Sequence, residues 1–327
     1  MVAGQGPFVG HLKDSPGCKA PAWQKGSEMN HTESAKALSQ GRHRRWLAGV
    51  LMRWGLGLGL LCGAALAGAQ QEAMPAPARP DLSQNPGQQS LLRVPSAREG
   101  AQVLVDLHRM PGARATLVML PGGRGGIGKA ALGRWADGEN FLVRSAPLFA
   151  AQGFHVALVA RPSDQEDMDY PFRVSPAHVD DLRRVLRQLR ETVPGPLWLV
   201  GTSRGTVSAT AAGIALREEG LIDGIVLTSS VTQFRVTGSV PKQALDQIRV
   251  PVLVVHHEQD ACQVCRPQEA PLIVQGLKNS RLRELVYAQG GGPATGNPCE
   301  ALHYHGFIGI EAQVAQRISD WIWKAGG

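Results

Sequence analysis

The sequence carries no basic stripe with interleaved aromatic residues, and aromatic residues make up only 5% of it. A nucleic-acid groove needs both, so that class of partner is excluded. The formal charge of +7 does not argue otherwise. Residues 1–53 hold eight Lys/Arg and three Asp/Glu, whereas the remainder holds 26 against 24 and is nearly balanced. Cysteine is also scarce, at five residues. Cys262-x-x-Cys265, with Cys299 and nearby histidines, falls short of a clean four-ligand zinc pattern. The apolar run Gly55–Leu66 is too short to span a bilayer comfortably. The glycine-rich loop at 122–128 lacks the Gly-Lys-Ser/Thr end of a phosphate-binding loop and the spacing of a dinucleotide fingerprint. No metal or organic cofactor is implied.

What is present begins with a leader. Met52-Arg53-Trp54, the apolar run and Ala67-Gly68-Ala69 form a positive segment, a short hydrophobic segment and a small-residue cleavage site. Residues 52–69 are expected to be a signal peptide cleaved before Gln70. Translation is expected to start at Met52, leaving 1–51 as an untranslated or disordered leader. The protein would then be periplasmic or secreted, with no stable membrane span after cleavage. Cys62 does not make it a lipoprotein, because Leu61 is too large for the position before a lipidated cysteine. Residues 70–98, rich in Ala, Pro, Gln and Gly towards their start, read as a flexible linker, and 99–327 as one domain.

Within that domain, apolar strands alternate with amphipathic helices. Ala101–Leu107, Ala115–Leu120, Phe154–Ala160, Leu197–Val200, Gly224–Leu227, Pro251–His256 and Leu282–Ala288 read as strands. Helices are expected over Phe141–Gln152, from Ser175-Pro176 to about Glu191, after Gly205, and from about Gly309 to Trp323. This pattern predicts an α/β fold with a mostly parallel sheet covered on both faces.

The chain is organised around Gly201-Thr202-Ser203-Arg204-Gly205, set between a strand and a small-residue helix. Gly-x-Ser-x-Gly in that setting reads as a turn that projects the serine hydroxyl beyond the sheet. A serine needs a base, and the base needs an orienting acid. In a parallel sheet, both should follow later strands. Asp260 is the acid candidate, with Glu258 as competitor. His305 is the base candidate, with His303 as competitor. His256 and His257 are expected to line the pocket. Backbone N–H donors for a developing oxyanion are expected from Arg204 and, in Pro121-Gly122-Gly123, from Gly123.

The order Ser203, Asp260, His305, the strand–turn–helix and the early glycine loop resemble the α/β-hydrolase superfamily, over about residues 100–325. The resemblance implies an α/β-hydrolase fold with an eight-stranded, mostly parallel sheet. It also implies a serine hydrolase acting on an ester-type small molecule. Pro121 departs from the His-Gly of many members, and His257 stands where glycine is frequent. About 20 residues separate Leu227 from Val252, too few for a large cap, so an open site partly roofed by the polar loop 161–175 is expected. A Cys262–Cys299 bridge would tie the acid loop to the histidine loop; Cys265–Cys299 and Cys262–Cys265 are the alternatives. Because fold does not settle substrate, a peptidase, a thioesterase and a non-catalytic binding protein stay open. A thiol oxidoreductase is disfavoured, since its cysteines would follow a late strand. Oligomeric state is not encoded.

Overall fold

The computed structural model describes residues 87–326, within one unit that spans 71–327. The expectations for residues 1–51 and 52–69 lie outside the described residues.

Eight strands form one open sheet in the order β1-β2-β4-β3-β5-β6-β7-β8. They are β1 (Gln88–Pro95), β2 (Gln102–Arg109), β3 (Ala115–Leu120), β4 (Phe154–Pro162), β5 (Leu197–Thr202), β6 (Gly224–Thr228), β7 (Val252–His257) and β8 (Arg283–Ala288). β2 runs antiparallel to both of its neighbours, β1 and β4, and the six strands β3 to β8 run parallel to one another. β3, β5, β6 and β7 are buried at every position, as continuous apolar runs require when both faces are covered.

Seven helices supply that cover: α1 (Phe141–Arg144), α2 (Ala146–Ala150), α3 (Tyr170–Arg173), α4 (Pro176–Thr192), α5 (Arg204–Ala215), α6 (Pro271–Gly276) and α7 (Glu311–Ala325). One core joins Leu182, Val185 and Leu189 of α4 and the small residues of α5 to Val118, Leu199 and Val254. The opposite core joins Phe141, Phe149, Ile318 and Ile322 to Leu117, Trp198 and Val255.

Three local readings are corrected. The linker read over 70–98 contains β1, which pairs with β2 along its whole length, from Gln88 with Arg109 to Pro95 with Gln102. Its residues have little strand signal of their own, and the partner strand supplies the order. The helix expected over 141–152 breaks at Ser145 into α1 and α2, because Pro147 has no N–H for the Val143 carbonyl. The polar loop 161–175 contains α3, whose N-cap Asp169 accepts from Phe172 N at 2.8 Å. Between β6 and β7 there are only two short 3₁₀ turns, at Val240–Lys242 and Leu245–Gln247, and no cap helix.

The edge strand gives a test. A chain lacking residues 1–95 is expected to melt about 5–10 °C below one lacking residues 1–86, because β2 loses its ladder and the packing of Val94 and Leu92. Equal melting temperatures by circular dichroism would mean that β1 contributes nothing.

Candidate active site

The carboxyl ends of β3, β5, β6 and β7 converge on one region. Ser203 joins β5 to α5 at φ 53° and ψ −125°, a left-handed backbone that a serine adopts only where its surroundings enforce it. Its N–H donates to the Thr228 carbonyl at 3.0 Å. The flanking glycines are demanded by space. A Cβ on Gly201 would stand 2.5 Å from the Gly205 carbonyl oxygen, and one on Gly205 would collide with the Leu120 carbonyl of β3. Opposite the turn, a Cβ on Gly122 would stand 2.7 Å from Ser203 Cβ.

Asp260 follows β7 and is buried. Its Oδ1 accepts from Cys262 N at 2.9 Å and its Oδ2 from His305 Nδ1 at 2.8 Å. With Nδ1 donating to a carboxylate, the lone pair of His305 falls on Nε2. That Nε2 is buried and has no hydrogen-bond partner among the described residues. His305 and Ser203 line the same cavity of about 240 Å³, with Gly122, Gly123, Phe141 and Ala301. None of its lining comes from 161–175, so the expected partial roof does not form there. That segment instead reaches the turn through Asp167, which accepts from Arg204 Nη1 at 3.1 Å.

The histidine is fixed through its backbone. Its carbonyl accepts from Ser229 Oγ at 2.7 Å, and the next carbonyl, of Gly306, accepts from Arg144, which also pairs with Glu311 at 3.0 Å. Gly306 is needed because any side chain there would collide with the Ala301 carbonyl, whereas the left-handed residue that turns the chain is Phe307, at φ 58°.

The competitors are placed elsewhere. Glu258 is exposed and accepts from Gln289 Nε2 at 2.7 Å. His303 precedes the short turn that carries His305 and sets its ring edge-on to Tyr304. The expectation that His256 and His257 line the pocket is corrected, because both are buried fasteners. His256 Nε2 accepts from Ser230 N at 2.9 Å, and burial lowers its pKa to about 4. His257 accepts from Gln259 N at 3.0 Å, bonds Gly290 O at 2.9 Å and stacks on Tyr304. Gly123, at φ 53°, lies on the cavity wall, and its N–H takes no part in the loop's own backbone hydrogen bonds. Arg204 is the first residue of α5, where backbone N–H groups have no partner within the helix.

Cys262 is bridged to Cys299, joining the loop of Asp260 to the loop of His305. Cys265 is a free, fully buried thiol beside Ser203. Burial, then the Asp260 carboxylate, pushes it well above its ordinary pKa, so it stays protonated. Cys262, Cys265 and His305 bring ligand atoms within 4.8 Å of one another, but the bridged Cys262 has no thiolate to offer a metal. Residues that sequence reasoning missed are Ser229, Arg144 and Arg173, and Cys265, named there only as an alternative bridge partner, is free. Arg173 is only 1% exposed beneath the glycine loop.

Among solved structures, the chain is similar to the esterase PF2001 of Pyrococcus furiosus in two crystal forms. One superposes with a TM-score of 0.55 at 11% identity, covering 74% of this chain and 92% of that one. The other gives 0.51 at 12%, covering 73% and 93%. A serine hydrolase without a lid from Xanthomonas campestris is 18% identical, with a TM-score of 0.49 over 73% of this chain and 96% of that one. No protein-family model and no curated protein matches the sequence. The chain has the α/β-hydrolase fold: the open, mostly parallel eight-stranded sheet and its helices are shared with these structures.

Two tests concern how the site is held. Cys299→Ser is expected to remove about 4 kcal/mol by the chain-entropy estimate for a loop of this size, with a matching fall in the thermal midpoint. A midpoint unmoved by this change would show that the bridge adds nothing. The second test is pH dependence. His256 has a folded value near 4 against about 6.5 unfolded, so between those values the unfolded chain binds a proton that the folded chain refuses. Stability is therefore expected to fall by up to about 3 kcal/mol from this group as pH drops from 6.5 to 4. His256→Gln should flatten that fall in urea titrations, and an unchanged slope would assign it elsewhere.

Proposed function

We propose that this protein is a serine hydrolase that cleaves ester-type bonds through an acyl-enzyme. The observation that carries this reading is the His305–Asp260 pair, 2.8 Å apart, with an unpartnered Nε2 in the cavity that holds the strained Ser203. Ser203 Oγ attacks the carbonyl carbon while His305 Nε2 takes its proton, and Asp260 holds the resulting imidazolium in place. The tetrahedral oxyanion is stabilised by the N–H groups of Gly123 and Arg204, each worth about 3–4 kcal/mol of barrier. His305 then protonates the leaving alcohol, and water, deprotonated by the same histidine, releases the acid.

The cavity favours small substrates. At about 240 Å³ it is below the usual range for drug-sized ligands, which suits a short acyl group better than a fatty chain. Peptidase and thioesterase activities use the same groups and differ in the leaving group. We further propose that the protein is exported, since a bridge such as Cys262–Cys299 persists in an oxidising compartment.

A fluorophosphonate, followed by peptide mapping, tests the mechanism. A single adduct on Ser203 is expected, with labelling at least 10²-fold slower in His305→Ala. Turnover of p-nitrophenyl acetate should exceed that of the octanoate and vanish in Ser203→Ala. An unmodified Ser203 in folded protein would instead favour a binding protein built on this scaffold.

A further inference from the structure

A buried arginine lies directly beneath the glycine loop and forms no salt bridge among the described residues, with Asp167, the partner of Arg204, its one acidic electrostatic neighbour. Arg173 closes α3, and its side chain turns inward until only 1% of the residue is exposed. Among the described residues, no carboxylate lies within 4.0 Å of its guanidinium. Its partners are neutral: Nε donates to Met168 O at 3.0 Å, Nη1 to Ser208 Oγ at 3.0 Å, and Nη2 to both Pro121 O and Gly123 O at 3.2 Å. Burying an unpaired charge is costly. A structural arginine would ordinarily have its charge offset by an acid. The one titratable neighbour that shares its partners, His178, bonds the same Ser208 Oγ at 2.9 Å. Burial and then the Arg173 charge lower the His178 pKa to about 3, so it stays neutral and cancels nothing. Burial, and then the Arg204 guanidinium, lower Arg173 itself only to about 9, so it is charged at neutral pH.

Resting on the hydrolase reading above, we propose that Arg173 is a positioning residue for the oxyanion site, fixing the peptide unit whose N–H belongs to Gly123 and placing a positive charge behind it. The loop's hydrogen bonds carry the argument. A trans peptide points its C=O and N–H in opposite directions. The Pro121–Gly122 and Gly123–Arg124 units are gripped at their carbonyls by one Nη2. The unit between them is held at its own carbonyl, since Gly122 O accepts from Gly125 N at 2.9 Å. Three successive carbonyls are thus fixed, and the Gly123 N–H is left facing away from the Gly122 carbonyl with no loop partner. The unit is also next to the nucleophile, because a Cβ on Gly122 would stand 2.7 Å from Ser203 Cβ. The fork geometry of a guanidinium is what lets one side chain reach two loop carbonyls together with Met168 O and Ser208 Oγ. A lysine presents a point charge and does not span them.

The test compares wild type with Arg173→Met and Arg173→Lys in the full chain. Three readouts are taken: steady-state turnover of p-nitrophenyl acetate, inhibition by a trifluoromethyl ketone that adds to the serine as a tetrahedral oxyanion, and thermal midpoint. In Arg173→Met, kcat is expected to fall about 10²-fold with KM changed less than threefold. Affinity for the ketone should weaken in parallel with kcat. Arg173→Lys keeps the charge without the fork and should fall between the two, which preserves the test if the methionine variant does not fold. A merely structural arginine would lower the midpoint and leave both kcat and ketone affinity within threefold, and that result in either folded variant overturns the proposal. A wild type that neither turns over the ester nor binds the ketone would overturn the hydrolase reading itself.

Discussion

The centre of the structure depends on a close approach that no side chain can enter. Gly205 at the start of α5 lies against the Leu120 carbonyl of β3, Gly201 lies against the Gly205 carbonyl, and Gly122 lies against Ser203. These contacts draw the ends of β3 and β5, which are neighbours in the sheet, into one turn and one loop. The left-handed backbone of Ser203 follows from that crowding. Its N–H is still satisfied by Thr228 at the end of β6, although the next residue, Ser229, is also left-handed at φ 46°. The two apolar cores, one on each face of the sheet, supply the burial that keeps such a residue in place.

Around this turn the fold keeps polar groups buried and assigns most of them a fixed partner. His256 accepts from Ser230, His257 from Gln259, and Ser229 donates to the His305 carbonyl. His305 Nε2, like His256 Nδ1 and Ser230 Oγ, has no partner among the described residues, but it belongs to a residue that lines the cavity with Ser203 and whose other nitrogen, next carbonyl and loop are all held. A buried acceptor without a donor costs free energy. In the proposed mechanism this is the nitrogen that receives the proton, and the hold on the rest of the residue keeps the ring from turning to relieve the cost.

How far this was legible in the sequence follows from what each residue type reveals alone. Ser203 and Asp260 could be singled out because each stands just after an apolar strand, and His305 because it lies between the last strand and the last helix; a parallel sheet brings such loops together whatever the intervening sequence. β3 to β7 were readable as buried apolar runs, and the edge strand β8, which is only partly buried, as the last strand-like segment. β1 was not, because Gln88–Pro95 is ordered by pairing with β2 rather than by its own pattern. His256 and His257 were misplaced because a histidine at a strand end looks the same in sequence whether it faces a pocket or accepts a backbone N–H inside. Arg173 was hidden among Asp164, Asp167 and Asp169 in a segment that reads as solvated. Only coordinates reveal that its guanidinium turns inward to Pro121 and Gly123 while an arginine outside, Arg204, pairs with Asp167.

The distribution of charge completes the picture. Beneath the glycine loop lies a guanidinium with neutral hydrogen-bond partners, behind His305 lies a carboxylate held by the histidine and a backbone N–H, and beside Ser203 the buried Cys265 stays protonated. A thiolate at that position would repel the negative charge that the proposed mechanism develops next to Ser203. Burial and the Asp260 carboxylate together prevent its formation, so the same acid that orients the base also keeps the neighbouring thiol neutral. The Asp260 carboxylate thus stands behind His305, and the Arg173 guanidinium stands behind the Gly123 carbonyl. The proposed mechanism relies on that arrangement, with a proton passing from Ser203 towards His305 and electron density towards the glycine loop.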